Sequence, residues 1–246
     1  GMVLLFSKDS NVPIWEYEIS EQIYQVDIAG DGEKIVAGTR NGNITFFDNQ
    51  TSNPIWNINY GAEIYSLSIS SNGDYIAAGT INSDDFYLID SESGSTVWTF
   101  ASGDLPQLVI SGNSDYILHS HHNPNGTSNL FLFSSESNVA LWEYTLPGYI
   151  HSLSIDYGGN YITVASDALY LFGNNNSIPI WTYFSSDRFY YTDISSLGGH
   201  IVASTYDDEV FYFITSSNEP LLKSIGSGCS ISSDGKKYTT TDYVEG

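Results

Sequence analysis

A tryptophan returns along this chain at an almost fixed interval. Trp15, Trp56, Trp98, Trp142 and Trp181 are separated by 41, 42, 44 and 39 residues, and Leu222 stands 41 residues further on. The same order of segments recurs around each. In the first full copy an apolar run over 23–28 leads to a turn with Gly30 and Gly32. A run over 34–39 with Ala37 and Gly38 follows, then an aromatic run over 44–48 with Phe46 and Phe47, then Pro54 and Trp56. Six such copies consume all 246 residues and leave no room for a second module, so the chain reads as a single domain over 1–246.

The apolar runs are four to seven residues long, rich in Ile, Val, Tyr and Phe, and bounded by Gly, Asn, Asp and Ser. These are strand and turn signals, and helical spacing is nowhere sustained. A period near 40 residues with four strands per unit is the signature of a β-propeller, each unit forming one four-stranded blade. The first strand of each unit has its apolar residues at positions one, four and six: Ile23, Val26, Ile28; Ile64, Leu67, Ile69; Leu105, Leu108, Ile110; Ile150, Leu153, Ile155; and Phe189, Thr192, Ile194. The second has small residues at its centre, Ala37 with Gly38 and Ala77, Ala78 with Gly79, where neighbouring blades must approach closely. The chain begins in a third and a fourth strand and ends in a first and a second. Residues 3–17 and 229–241 are therefore expected to share one blade and close a six-bladed, all-β ring with no unpaired edge.

Composition narrows the partners. Seven cations stand against 29 acids, a formal charge of −22, and nucleic acid requires cations to displace the counterions condensed on its phosphates. Nucleic acid and anionic membrane surfaces are therefore excluded. Cationic partners or simple solubility fit better. No apolar run approaches a membrane span, and the chain is expected to be soluble and monomeric. Only 15% of residues are charged, below the usual quarter, and hydroxyl side chains are abundant. That surface points to an extracellular or cell-surface protein, with the cytoplasm left open. Cys229, the one cysteine, forms no internal disulfide and reads as a small buried hydrophobe.

The segment 90–98 has an acid, Asp90, eight residues before Trp98, a hydroxyl at Ser93 and a glycine at Gly94. It resembles the tryptophan-docking motif of PQQ-like repeats. The turns Ser71-Asn72-Gly73 and Ser233-Asp234-Gly235, with the strand order, resemble WD40-type propellers. The likeness covers the whole chain in degenerate form: the acid recurs only at Asp48, and the glycine position is Asn11, Ser52, Asn138, Ser177 and Asn218 elsewhere. The resemblance implies that the indoles pack between adjacent blades and are structural. It also implies a non-catalytic binding or scaffold propeller, like the PQQ-like scaffolds of outer-membrane assembly and archaeal surfaces, with no cofactor. The alternative it carries is a quinoprotein-like enzyme or a cofactor- or metal-binding propeller with its site at the channel. Against this stand the lone cysteine, which allows no vicinal disulfide, and the lack of an assignable calcium set.

Other chemistry is thin. His119, His121 and His122 are metal-like in spacing, because alternate residues of a strand share a side. They fall where a second strand runs into a loop, so they read as exposed polar histidines, and His200 beside Gly198 and Gly199 reads as solvated. There is no nucleophile elbow, phosphate-cradling loop or zinc-protease helix. One constellation survives. The position after the leading apolar residue of the first strand is Tyr24, Tyr65, Pro106, His151 and Tyr190. In propellers of the resembled type that position lies at the channel mouth. The same face would receive Glu21, Glu63, Asp84, Asp85, Asp104, Asp187, Asp207, Asp208 and Glu209. A rim of Tyr24, Tyr65, His151 and Tyr190 with Asp187 and Asp207 would suit a protein segment, cationic or otherwise, or a carbohydrate. Tyrosine also simply fits a strand start, and acids solubilise loops.

Overall fold

The computed structural model describes residues 1–81, 83, 85–101 and 103–241, with the backbone alone at 104 and 105. Its elements are all strands and divide between two compact units, 1–110 and 111–246.

In the first unit β1 (Met2–Leu5) and β2 (Trp15–Glu18) pair antiparallel. They are followed by β3 (Ile23–Ile28), β4 (Lys34–Thr39), β5 (Asn43–Asp48) and β6 (Trp56–Asn59), which form a four-stranded antiparallel sheet in chain order. A second such sheet contains β7 (Ile64–Ile69), β8 (Tyr75–Thr80), β9 (Asp85–Asp90) and β10 (Thr96–Ala101), and β11 (Asp104–Ile110) ends the unit. The apolar faces of the first two sheets meet in one cluster with Val36, Phe46, Ile64, Leu67, Ile76 and Ile89 at its centre. The small residues work as the pattern requires. A Cβ on Gly38 would lie 2.6 Å from Ile64 of the next sheet, too close for any side chain.

In the second unit β12 (Tyr116–His122), β13 (Thr127–Ser134) and β14 (Trp142–Pro147) pair in that order. Two four-stranded sheets follow. The first contains β15 (Ser152–Ile155), β16 (Tyr161–Ala165), β17 (Leu169–Gly173) and β18 (Trp181–Tyr183). The second contains β19 (Phe189–Ile194), β20 (His200–Thr205), β21 (Glu209–Ile214) and β22 (Leu222–Ile225). The chain then forms a pair from β23 (Gly228–Ile231) and β24 (Tyr238–Thr241). The sixth four-stranded blade expected from 3–17 and 229–241 is thus not among the sheets. Each segment folds back on itself as a two-stranded sheet whose hydrogen bonds run within the pair.

The tryptophans explain the period. Nε1 of Trp15, Trp56, Trp142 and Trp181 donates to the backbone carbonyls of Asn49, Ser91, Asn174 and Thr215, at 3.3, 2.8, 3.0 and 2.9 Å. Each acceptor lies one repeat further on, so each of these four indoles pins its own sheet to the next. The segment 90–98 shows why its residues recur. Asp90 accepts the Ser93 amide at 2.8 Å and tightens the turn. Gly94, at φ +69°, lies flat on the Trp56 ring, where a Cβ would approach the indole to 3.0 Å.

Polar side chains staple the first strands of successive sheets. Asp27 on β3 accepts the Ile69 amide at 2.8 Å, and Ser66 on β7 accepts the Leu108 amide at 3.0 Å. Asp193 on β19 accepts the Ile231 amide at 3.0 Å and the Ser154 hydroxyl at 3.1 Å.

Asp156 is buried in the turn after β15 and accepts the Tyr161 amide at 2.7 Å. Burial, partly offset by hydrogen bonds from Tyr161, Asn160 and Gly158, raises its pKa above the usual carboxylate value. A raised pKa means that the folded state holds the proton more tightly than the unfolded one. The associated stability is full below the ordinary carboxylate range and is lost as pH rises through the raised value. Urea unfolding should therefore show the protein losing more stability between pH 4 and pH 7 than its Asp156→Asn variant. Parallel curves would show that Asp156 titrates as it does in the unfolded chain.

Candidate functional site

The candidate rings owe their placement to one irregularity repeated along the chain. In β3 the pairing with β4 jumps from Ile23↔Thr39 to Gln25↔Gly38, leaving Tyr24 as an extra residue. The same jump leaves out Tyr65 between Ile64 and Ser66, and Tyr190 between Phe189 and Tyr191. This is a β-bulge, and it explains why the first two apolar positions of the motif lie three apart rather than two. The apolar residues on either side keep their inward direction while the bulged residue is turned out of the ladder. His151 holds the equivalent place just before β15, its amide donating to Ala165 at 2.9 Å.

In the first unit Tyr24 and Tyr65 line one cavity of about 460 Å³ with Gln25, Ser66, Pro106 and Gln107. The Tyr24 hydroxyl is hydrogen-bonded to Glu63, which raises its pKa. Glu63 is also ion-paired to Arg40 at 3.7 Å.

In the second unit His151 stacks on Tyr190 at 4.8 Å between ring centroids, and the stack extends both ways. Tyr149 lies 6.5 Å from His151, and His122 lies 3.6 Å from Tyr149, nearly parallel. On the other side Tyr206 is 6.1 Å from Tyr190, with the Arg188 guanidinium 5.5 Å above the Tyr206 ring. The result is a file of five rings, His122, Tyr149, His151, Tyr190 and Tyr206, capped by a cation. Burial and the Arg188 charge lower the His151 pKa, with Asp167 opposing, so this ring is neutral at physiological pH.

Among the described residues none of the acids lines the cavity of Tyr24 and Tyr65. Asp187 accepts the Arg188 amide at 2.8 Å, and Asp207 accepts the Thr205 hydroxyl at 2.6 Å. Glu209 is ion-paired to Lys223 at 2.5 Å, and Glu21 accepts from Asn43 at 3.2 Å. Asp84 and the side chain of Asp104 lie outside the described residues.

Three expectations are corrected. His119 is not exposed: β12 continues through His122, and pairing with Phe131 buries His119 completely against that ring at 5.9 Å. His121 and His122 are half-buried, and among the described residues no three His, Cys, Asp or Glu side chains are grouped to hold a metal. His200 is not simply solvated. Its Nδ1 lies 2.8 Å from the Tyr212 hydroxyl, and the two rings stack at 5.6 Å. Cys229 is half-buried rather than part of the core, and desolvation pushes its thiol up to about 12. It is therefore no nucleophile at neutral pH. Reading the sequence alone missed Tyr149, Tyr206 and Arg188, which come from loops with no shared repeat position.

No family model matches the chain, and no curated protein matches it. Among solved structures it is similar to the crystal structure of the C-terminal WD40 domain of Sif2, with a TM-score of 0.72 at 20% identity, over 90% of this chain and 65% of that one. The likeness shows the fold, a WD40-like β-propeller built of four-stranded antiparallel sheets. As 1779 chains of known structure match, the fold is too widely shared to specify an activity.

Proposed function

We propose that this protein is a non-catalytic binding scaffold whose recognition surface is the exposed ring file of the second unit. The observation that carries this reading is the file itself. Four stacked rings, a fifth tilted against them and a guanidinium are more than a solvated face needs, and aromatic rings of this kind supply large contact area at low cost in conformational entropy. Tyr24 and Tyr65, bulged in the same way, extend the reading to the first unit, and the loop acids Asp187 and Asp207 act at long range. Its partner is a protein or a carbohydrate. The WD40-like fold favours an interaction role over catalysis, and the hydroxyl-rich, weakly charged composition favours a place outside the cell or on its surface.

The same proposal includes a closed six-bladed ring with PQQ-like repeats. Its support is local. Val26 and Ile28 on β3 are 58% and 48% exposed, whereas the matching Leu67, Ile69, Leu108 and Ile110 are buried. They line an apolar cavity of about 320 Å³ together with Met2, Val3, Leu4 and Leu5 of β1. The indoles of Trp15, Trp56, Trp142 and Trp181 each bond to a carbonyl one repeat further on, as the resemblance to PQQ-like repeats implies.

The test is a pull-down from membrane and surface fractions of the source cells, comparing the protein with a Tyr149→Ala/Tyr190→Ala variant. The variant should lose specific partners about tenfold, the effect of removing roughly 1.4 kcal/mol of contact. Its melting temperature should stay within a few degrees. Equal capture by both proteins would remove the file as the binding surface.

A further inference from the structure

The rings at the bulged position, already interrupted by Pro106 in the third repeat, end at the last repeat, and the end has a shape. Ile231 receives a staple from Asp193 just as Ile69 receives one from Asp27, which aligns the two first strands. By that alignment the place of Tyr190 is taken by Ser227. The Ser227 amide donates to the Thr241 carbonyl at 2.7 Å, as the His151 amide donates to Ala165, so the backbone of the bulged position is kept while its ring is gone.

The missing ring leaves a cavity of about 680 Å³ beside Tyr190, Tyr191 and Tyr206. That is the size of a small-ligand site. The three tyrosines are 38%, 45% and 65% exposed, with Tyr191 and Tyr206 at 5.2 and 6.1 Å from Tyr190. Opposite them stand Ser227 and the edge strand β24 with Thr239 and Thr240. Among the described residues no charged side chain lines the cavity.

We propose that this notch is a subsite for a neutral sugar ring, which makes the partner of the ring-lined face a glycan. The proposal rests on that face being the recognition surface and deepens it. The chemistry of the walls selects the class. A pyranose offers an apolar C–H face to an aromatic ring and a rim of hydroxyls to donors and acceptors, and here tyrosine faces one side and hydroxyls line the other. A cationic side chain would shed its hydration against described walls that offer no carboxylate, and a purely apolar ligand would leave the hydroxyls of Ser227, Thr239 and Thr240 desolvated. Arg188 sits over the Tyr206 ring and is not among the residues lining the notch, so an acidic sugar gains no direct partner among the described residues.

The test is an array of neutral and acidic glycans probed with the full chain. Titration of the best neutral oligosaccharide, with cellobiose and a lysine-rich peptide as reference probes, would follow tyrosine fluorescence. Saturable binding of a neutral oligosaccharide is expected. Ser227→Tyr, which supplies the ring found at Tyr24, Tyr65 and Tyr190, should weaken it at least tenfold, as should Tyr191→Ala. Thr240→Val, which removes a hydroxyl without filling the notch, should weaken it severalfold. Neutral-glycan binding that survives both Ser227→Tyr and Tyr191→Ala would overturn the subsite, and so would an array blank for neutral glycans. If the array is blank while Tyr149→Ala/Tyr190→Ala still abolishes capture of a protein, the glycan inference falls and the ring-file surface stands. If neither glycan nor protein binding responds to the ring variants, both fall.

Discussion

Trp142→Ala should lower the unfolding free energy by about 3 to 5 kcal/mol, the range for emptying a large aromatic site. Trp142 is only 8% exposed and stacks on Phe172 of the next sheet at 5.8 Å. Its removal would open a cavity between two sheets that share no covalent turn at that point. It would also strand the Asn174 carbonyl, which accepts the indole N–H at 3.0 Å, and an unpaired carbonyl adds its own penalty. Trp142→Phe separates the two contributions, since it restores most of the stacking but not the donor, and should recover more than half of the loss. Urea unfolding followed by circular dichroism measures both. A Trp142→Ala protein with unchanged stability would mean that the indoles serve binding rather than the fold.

Deleting the first 18 residues should be comparably damaging. That stretch contributes Val3, Leu5, Trp15 and Tyr17 to a cluster around Ile35, Ala37 and Phe47. The rings of Trp15 and Tyr17 sit 5.3 and 5.1 Å from Phe47. At roughly 1.5 to 3 kcal/mol for each fully buried large apolar side chain, the deletion removes on the order of 5 kcal/mol or more. It also bares the outer face of β5, whose Phe47 is wholly buried in the intact protein. Size-exclusion chromatography should show association, and the unfolding transition should broaden. A monomeric truncated protein that melts at the original temperature would show that β1 and β2 are dispensable.

The repeat was legible because its determinants are local and periodic. Trp56, Gly94 and Asp90 must stand at fixed distances for an indole to lie on a glycine turn one repeat away, and that constraint survives in degenerate sequence. The bulges were half legible: Ile64 and Leu67 sit three apart where a regular strand would space them by two, and Tyr65 fills the excess. What was hidden depends on segment lengths. β12 and β13 have seven and eight residues where β4 and β5 have six. His119 takes the fourth strand position, which Ala37, Ala78 and Ala203 fill inside the other sheets, and the extra length of β12 holds His122 where Tyr149 can stack on it. Tyr149 and Tyr206 lie in loops, and no period relates them to Tyr190. The way β1 and β2 relate to β23 and β24 was inferred from strand order alone, and strand order does not encode hydrogen bonding.

The bulged position of each first strand has a consequence for how such a protein can change. Tyr24, Tyr65 and Tyr190 have no counterpart in the ladder opposite them, and the residues that fill the interior are their neighbours, Ile64 and Phe189 among them. On the proposed reading, exchanging a bulged residue would alter what the surface recognises while the residues that hold the sheets together are left alone. A lineage, or a designer, could rewrite these positions one at a time and obtain new specificities without first acquiring compensating changes in the interior.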